Sequence, residues 1–482
     1  MPMKRKLSVC TSIMLMLSIL LTYGNFSVAQ TFTNKVKRFI SIDTPLFAIT
    51  HVTLIDGTGK DIKQDQTIIV RNHIIENVGA SSVVQIPTGV YIVDGTGKTL
   101  IPGLIMLHEH LFYPKIFDGN YSVGEMQFSA PRLYLAAGVT TIRTGGSIEP
   151  QTDLNIKDWI NEGKEVGPNM DVTGPYIERA GLEIPELGFM KKPNEATQLV
   201  NYWADRGVTS FKLYNNVTRE DVRQTVEAAH KRGLKVTAHL CSVTYAEASN
   251  PGIDNLEHSF RVASDFVPGK KEDVCNQAAV YQSLQKLRED DPKIQALIGL
   301  LIKNKTALTV TPNVFEPYTG RDTVPGGGME ALAPQFRKKI KMIYNTYLNR
   351  DSADAAMYKK DMHWVREFYD RGGLLLAGTD PTGVGRVVPG YANRHTVELL
   401  VESGFSLPEA IKICSLNGAQ YLNIINKTGT IEKGKIADFT LINGDLEKNV
   451  KNIRNTEMVF KNGIGYDSKK LFESVKGMVG IE

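Results

Sequence analysis

The stretch IPGLIMLHEHLFYP, residues 101–114, is an apolar run that ends in two histidines separated by one residue. Side chains of a β-strand alternate between its two faces, so His108 and His110 would point the same way and Glu109 the opposite way. Two imidazoles on one face are either half of a metal site or a hydrogen-bonded pair at the edge of a core. The rest of the chain decides between these interpretations.

The middle of the chain repeats short apolar β-type runs, separated by segments with helical periodicity. One such segment, residues 219–233, ends in a glycine, as helices often do. Eight units predict a TIM (β/α)8 barrel, whose reactive residues lie at the C-terminal ends of the strands. An open doubly wound sheet is the alternative, and no glycine-rich dinucleotide fingerprint supports it. The eight predicted strands lie within residues 103–110, 138–144, 169–177, 207–215, 234–240, 253–259, 306–314 and 373–380.

Both ends of the chain show another texture, with short β-type runs broken by turn residues. Neither end has enough strands to bury a face alone, so we predict one small composite β-sandwich domain built from residues 30–97 plus 425–482. The barrel then occupies residues 98–424. Two of its connections, residues 260–305 and 315–372, are longer than ordinary loops and contain helical patterns. They either cover a substrate pocket or are structural padding.

The N-terminus has the features of a cleaved secretory signal peptide, residues 1–29. Three basic residues precede an apolar stretch that is too short to span a bilayer, and small residues follow it. We therefore expect a secreted or periplasmic protein without a membrane span. Its removal lowers the formal net charge from +4 to +1, since the segment contains three basic residues and no acidic ones. That balance argues against nucleic acid or an anionic membrane as a partner.

Three of the four cysteines remain after this cleavage: Cys241, Cys275 and Cys414. At most one pair can form, so the cysteines do not build a disulfide framework. Cys241 shares the strand face of His239. We interpret it as buried filler rather than as a redox group.

Residues with metal-ligand or catalytic chemistry recur where the predicted strands end. Four of the nine histidines lie there, and chance placement explains one such histidine more easily than four. These residues are His108 and His110 after the first strand, Lys212 after the fourth, His239 after the fifth, His258 after the sixth and Asp380 after the eighth.

The motifs PGLIMLHEH, FKLY, VTAHL, NLEHS, LAGTD and GTIEKGKIADFTLI resemble the signatures of the amidohydrolase superfamily across essentially the whole mature chain. Within it, the chain looks most like the imidazolonepropionase and Xaa-Pro dipeptidase (prolidase-like) group, which includes exported enzymes. The resemblance implies the barrel and composite β-domain predicted above. It also implies hydrolysis at a binuclear metal centre.

By this resemblance, His108, His110 and Asp380 hold one divalent metal ion, and His239 and His258 hold a second. Zinc accepts such ligands, as do manganese and cobalt. An ammonium group cannot bind a cation, but a lysine made neutral by burial can react with carbon dioxide, and the Lys212 carbamate would bridge the two metals. The alternative for Lys212 is an ion pair with a neighbouring acid.

Asp380 is the expected general base, which later hands its proton to the leaving amine. Its alternative role is that of a turn or capping residue. Tyr214 follows Lys212 on the same face and is a candidate for binding the substrate, although packing at the barrel rim explains it equally well. Arg143 could pair with a substrate carboxylate or form a structural ion pair. His395 could support the site from a helix after the eighth strand.

The sequence therefore predicts a metal-dependent amidohydrolase that cleaves a C–N amide bond of a small molecule, such as an N-acyl amino acid or an Xaa-Pro type dipeptide. A lactonase or phosphotriesterase-like hydrolase is the alternative, because the same centre attacks esters. In another class, the chain would be a catalytically inactive binding protein on the same scaffold. The expected partner is a small-molecule substrate, and a homo-oligomer is compatible with the sequence.

Overall fold

A computed structural model describes residues 31–117, 120–182, 184, 186–321, 324, 326–347, 352–382 and 386–481. The predicted signal peptide, residues 1–29, lies outside these described residues. In chain order the strands are β1 (Ile40–Ile42), β2 (Leu46–Leu54), β3 (Lys63–Arg71), β4 (Ile74–Ala80), β5 (Tyr91–Asp94), β6 (Lys98–Pro102), β7 (Leu104–Glu109), β8 (Phe112–Phe117), β9 (Asn120–Glu125), β10 (Val139–Thr144), β11 (Asn169–Asp171), β12 (Thr173–Ile177), β13 (Ser210–Leu213), β14 (Lys235–Ala238), β15 (Asn255–Glu257), β16 (Ala307–Val310), β17 (Leu375–Ala377), β18 (Phe439–Asn443), β19 (Thr456–Lys461) and β20 (Ile464–Asp467).

The α-helices of the same residues are α1 (Asn34–Lys37), α2 (Ser129–Ala136), α3 (Pro150–Asn161), α4 (Glu195–Ala204), α5 (Arg219–Lys231), α6 (Tyr245–Ser249), α7 (Gln277–Lys286), α8 (Pro292–Lys303), α9 (Pro312–Phe315), α10 (Pro334–Tyr347), α11 (Ser352–Asp370), α12 (Tyr391–Glu402), α13 (Leu407–Ile413), α14 (Leu416–Tyr421) and α15 (Ser468–Glu473). None of these helices is both long and apolar enough to cross a bilayer.

The central part of the fold is mixed α/β with parallel strands. β7, β10 and β11 pair in parallel in one sheet, and β12 to β17 pair in parallel, in sequence order, in a second one. All eight predicted strands are present, the third of them divided into β11 and β12. Every residue of β7 and of β10 is buried, although only β7, with Leu104 to Leu107, contains a continuous apolar run; β10 also buries Arg143 and three threonines.

Two contacts connect these parallel strands beyond their sheets. Ser147, which follows β10, forms a parallel bridge with Pro175 of β12. The backbone N–H of Thr379, which follows β17, donates to the carbonyl of His108 at 3.2 Å. The carboxyl ends of the first, second, third and last predicted strands therefore lie close to one another.

Helix α5 shows how local sequence sets the boundaries of these elements. Thr218 begins it with a capping box, in which the Asp221 N–H donates to the threonine hydroxyl at 3.1 Å and the Asp221 carboxylate accepts from the Thr218 N–H at 2.9 Å. Gly233 follows the helix with φ +70°, a left-handed conformation that costs glycine little. The helix predicted within residues 219–233 is confirmed.

The two ends of the chain do pair with each other. They form one nine-stranded sheet in the order β1-β20-β19-β18-β6-β2-β3-β4, with β5 beside β2, among the residues described. Phe47 of β2 stacks on Phe460 of β19 with ring centroids 5.1 Å apart, although β18 and β6 separate these strands in the sheet. The sheet therefore curls around its own apolar core. Its description as a sandwich stays a prediction.

The two long connections contain the helices that their sequence patterns predict. Residues 260–305 include α7 and α8, and residues 315–372 include α10 and α11. A further insertion, the antiparallel hairpin of β8 and β9, follows the first histidine pair directly. This hairpin was not predicted from the sequence.

Candidate metal centre

The first strand delivers the two histidines as its alternation predicts. His108 lies on β7 and His110 just beyond it; both are buried, with ring centroids 5.3 Å apart. Glu109 points the other way, where it accepts hydrogen bonds from the backbone N–H of Thr379 and the side-chain amide of Asn393, each at 3.0 Å. Burial raises the pKa of Glu109 to about 8. Glu109 therefore holds β7 in place by hydrogen bonds, and its neighbours His108 and His110 are the residues that face the candidate site.

Asp380 follows β17, the last of the parallel strands, and its side chain lies beside the two histidines. Its backbone N–H donates to the carbonyl of His108 at 3.0 Å, which fixes its position. Its Oδ1 lies 3.1 Å from Nε2 of His110 and 3.8 Å from Nε2 of His108. The ligand atoms of these three side chains all lie within 4.8 Å of one another. This is the donor set expected around one divalent ion.

Lys212, His239 and His258 complete the cluster from β13 and from the turns after β14 and β15. The His258 ring lies 4.6 Å from that of His108 and 4.7 Å from that of His239, centroid to centroid. Among the described residues, neither Nζ of Lys212 nor Nδ1 of His239 has a hydrogen-bond partner, although both atoms are buried. Buried polar atoms are rarely left unpaired, so these two point to a ligand.

The electrostatics of the cluster favour neutral imidazoles and make the Lys212 amine easier to deprotonate than an exposed lysine. Burial lowers the pKa of Lys212 to about 8, against the charges of Glu257 and Asp380, which raise it. Burial, together with the charge of Lys212, lowers the pKa of His108 to about 4 and that of His239 to about 3. Neutral imidazoles carry the free electron pair that a metal requires.

The Asp380 carboxylate is held in its charged form. Burial by itself raises its pKa, but the hydrogen bond with His110 and the electrostatic interaction with His108 and His258 bring the pKa well below its usual range. Thr382 donates its hydroxyl to Oδ1 of Asp380 at 2.8 Å. The other carboxylate oxygen, Oδ2, lies 3.9 Å from Nδ1 of His258.

Glu257 is the residue that the sequence reasoning missed. It is fully buried on β15, with Oε2 2.7 Å from Nδ1 of His108, and its Oε1 accepts a hydrogen bond from the Arg143 guanidinium at 2.7 Å. A carboxylate on Nδ1 of a histidine orients the ring and directs Nε2 toward the metal position. The available signal was its place in NLEHS, directly before His258.

Arg143 therefore does not occupy the position proposed for it at the substrate. Its side chain is 0% exposed, pairs with Glu257 and lies over the Tyr421 ring at 5.2 Å. It is absent from the described lining of the cavity beside the histidines. The geometry is that of the structural ion pair, and the physical reason is that the guanidinium extends into the interior rather than toward the strand ends.

The cavity at the cluster is small, about 70 Å³. Besides His108, His110, Lys212, His258 and Asp380, its lining includes Phe112, Ile148, Tyr176, Leu187, Tyr214 and Thr382. Tyr214 thus reaches the cavity, with its ring 5.1 Å from that of His239. His239 contributes no described surface to the lining.

The two long connections contact the residues of the candidate site from outside the described cavity lining. Neither contributes a described residue to the cavity wall. Asp361 of α11 accepts hydrogen bonds from the Ser259 hydroxyl at 2.6 Å and from the Phe260 N–H at 3.1 Å. It fixes the turn in which His258 adopts φ +65°.

A disulfide between Cys241 and Cys275 also supports the candidate site. It ties the turn after His239 to residues 260–305, and it corrects the interpretation of Cys241 as filler. Only geometry in three dimensions distinguishes the paired cysteines from Cys414, which is buried and free.

His395 lies on α12, away from the cavity wall. Its Nε2 is 2.8 Å from a carboxylate oxygen of Glu316, and its Nδ1 is 2.8 Å from one of Glu398. Burial opposes its protonation, but the two carboxylates outweigh it and raise the pKa of His395 to about 9. The residue is part of an ion-pair network that joins α12 to the segment after α9.

The fold is mixed α/β, and the cluster of His108, His110 and Asp380 forms a candidate metal centre at the carboxyl ends of its parallel strands. Residues 99–464 match the model of the amidohydrolase family. The chain belongs to this family and is a hydrolase acting on carbon–nitrogen bonds.

Similar proteins cover nearly the same length. An N-acetylglucosamine-6-phosphate deacetylase from Lysinibacillus sphaericus is 21% identical over 408 residues, which make up 83% of this chain and 94% of that protein. A solved Xaa-Pro dipeptidase with bound methionine is 20% identical, with TM-score 0.64 over 88% of this chain and 100% of that one. A. niger ochratoxinase is 16% identical, with TM-score 0.62 over 88% of this chain and 95% of its own. These structural likenesses establish the fold.

Proposed function

We propose that this protein is an exported, metal-dependent amidohydrolase that hydrolyses the amide bond of a small substrate, either an N-acyl amino acid or an Xaa-Pro type dipeptide. The observation that carries the proposal is the convergence of His108, His110 and Asp380 within 4.8 Å, next to the unpartnered amine of Lys212. The names of the similar proteins, a deacetylase and a dipeptidase, support the amide class.

The residues present fit a pair of divalent ions, and zinc is the simplest ion with which to test this. His108, His110 and Asp380 would hold one ion, and His239 and His258 the other. Lys212 would bridge them after its neutral amine adds to carbon dioxide and loses a proton, which gives a carbamate. Such ions supply Lewis acidity and lower the pKa of water toward neutrality.

The chain's own residues then orient the reaction. Thr382 donates its hydroxyl to Oδ1 of Asp380, so Oδ2 would be the oxygen that takes a proton from the nucleophilic water and passes it to the nitrogen of the leaving amine. Glu257 keeps His108 in one orientation. The Tyr214 hydroxyl would bind the substrate's carbonyl or carboxylate, a role supported by the presence of Tyr214 in the cavity lining.

The proposal includes the architecture. The parallel strands would close into a (β/α)8 barrel over residues 98–424, supported by the Thr379 to His108 hydrogen bond between the last strand and the first. Residues 30–97 and 425–482 would form the accompanying β-domain, supported by their shared nine-stranded sheet.

Export through cleavage of residues 1–29 remains part of the proposal. The disulfide between Cys241 and Cys275 supports it, because disulfides persist in oxidising compartments outside the cytoplasm. The N-terminal sequence of the protein purified from its host would test it: a start near residue 30 agrees with export, whereas an intact N-terminus contradicts it.

A substrate panel tests the reaction class. Metal-replete enzyme is assayed on dipeptides, N-acyl amino acids, lactones and phosphotriesters. Turnover of an amide, with kcat/KM at least tenfold above that for any ester, agrees with the proposal. Activity on the lactones or phosphotriesters alone would overturn the amide assignment in favour of the alternative hydrolase.

A further inference from the structure

The cavity at the candidate metal centre is too small to contain a whole substrate. Its volume is about 70 Å³, whereas sites for small molecules are usually roughly 300–1,000 Å³. The space holds a reacting amide group and little else. The remainder of the substrate must occupy an adjoining space.

A second pocket of about 530 Å³ adjoins this cavity. Ile148, Tyr176 and Leu187 line both, so the two spaces share a wall. The larger pocket is bounded by residues after β10, by residues 186–190 after β12 and by one side of α4. Its volume lies within the range of small-molecule sites.

The lining of the larger pocket is apolar and aromatic. Phe189, Met190, Leu199 and Trp203 add to the shared wall, and Tyr202 lies at the rim with half of its surface exposed. Phe112, Tyr176 and Leu187 form a small apolar cluster of their own, separate from the main core. Packing of the main core therefore does not account for this buried cluster, and two of its members, Tyr176 and Leu187, lie where the two spaces meet.

The charges at the pocket restrict what it can bind. Two carboxylates, those of Glu186 and Glu195, lie in its wall, and the described lining contains no lysine or arginine. Oε1 of Glu186 accepts the Val123 N–H at 3.1 Å, which ties the β8–β9 hairpin to the wall. A carboxylate or phosphate would meet repulsion from these two groups; the cations Lys192 and Arg179 act on Glu195, but neither belongs to the described lining.

We propose that this pocket binds an uncharged apolar substituent of the substrate, aromatic or branched aliphatic, while the scissile bond lies in the small cavity beside Asp380. The inference rests on the proposed function for the identity of that bond. Beyond that function, the inference names the part of the substrate that determines specificity, and it excludes an anionic group at that position.

Binding can be measured separately from turnover. The probes are two uncharged amides, N-acetyl-phenylalanine amide and N-acetyl-alanine amide, titrated calorimetrically into metal-replete Asp380→Asn protein, in which cleavage is suppressed. We expect a Kd at least tenfold lower for the phenyl probe, as apolar pockets discriminate by roughly 10–200-fold. Equal Kd values would overturn the inference.

Variants of α4 locate the effect. Leu199→Trp fills the pocket and should abolish the preference for the phenyl probe, whereas Asn201→Trp, at an exposed position on the same helix outside the pocket lining, should keep it. Tyr202→Ala removes part of the rim at a half-exposed position that tolerates change, and it should reduce the preference at least threefold. A preference unchanged by Leu199→Trp and Tyr202→Ala would place the phenyl group elsewhere.

Turnover by the wild-type enzyme separates the two proposals. If no amide is hydrolysed but the phenyl preference is present and sensitive to Leu199→Trp, then the reaction class is wrong and the pocket is right. If amides are hydrolysed with equal kcat/KM for alanine and phenylalanine substituents on both the acyl and the amine side, the pocket assignment is wrong and the reaction class stands.

Discussion

The Glu257 carboxylate lies 2.7 Å from Nδ1 of His108, and the same carboxylate holds the buried guanidinium of Arg143. One buried acid therefore links an internal ion pair to a candidate metal ligand. The position of the His108 ring depends on a residue outside the described lining of the cavity.

Glu257→Gln should weaken metal binding by about 10–100-fold, because the ring of His108 loses its fixed orientation. The measurement is metal affinity by competition with a chromophoric chelator. Glu165→Gln is the matched control, since Glu165 forms a buried pair with Arg132 outside the site. It should lower stability and leave metal affinity unchanged; equal affinity loss in both variants would show a general effect of unpairing a buried arginine.

Lys212→Ala should lose bound metal and at least about 100-fold in activity, because the bridging carboxylate is absent. A short carboxylic acid added to the variant should restore part of both. Lys461→Ala serves as the control: Lys461 is also a buried lysine, but it donates to the Gly167 carbonyl away from the site. Full activity of Lys212→Ala would refute the carbamate.

Asp380→Asn, compared with the wild type at equal measured metal content because Asp380 would also hold an ion, should reduce kcat by about 10²–10⁴-fold, the usual contribution of a general base, while the protein stays folded. Steady-state kinetics on the best amide substrate of the panel measures the effect, and circular dichroism checks the fold. A fall of less than tenfold would assign proton transfer to another group.

The disulfide should contribute about 2–4 kcal/mol to the free energy of unfolding, since it closes a loop with a sequence separation of 34 residues. Cys275→Ser should lower the midpoint of urea denaturation accordingly. Reductant should lower the midpoint of the wild type and of Cys414→Ala, in which the bond is intact, but not that of Cys275→Ser. A wild-type midpoint insensitive to reductant would contradict the bond.

Protonated His395 should stabilise the protein at neutral pH. Its pKa is raised from 6.5 to about 9 in the folded state, so the stabilisation is complete below about pH 6.5 and is lost as the pH rises through about 9. Relative to the wild type, His395→Gln should lose on the order of 2 kcal/mol at pH 6 and little at pH 10. His230→Gln, at an exposed histidine, is the control; a difference independent of pH would contradict the network.

Sequence alone predicted what depends on local pattern. Alternation along β7 placed His108 and His110 together, and the rule that parallel strands present their carboxyl ends at one edge brought Lys212 and Asp380 near them. It could not identify the partner of Arg143, which lies 114 residues away in Glu257, nor choose which cysteine pairs with Cys241. Such choices depend on packing between distant segments, and the apolar pocket beside α4 arises in the same way.

The central claim is that these strand ends form a two-metal hydrolytic centre. Metal content per chain, measured by mass spectrometry before and after chelation alongside amide hydrolysis, tests it most directly. The account predicts two divalent ions per chain, activity lost on chelation and activity restored by zinc with bicarbonate. Fewer than one ion per chain after that treatment, or turnover unaffected by complete removal of metal, would contradict it.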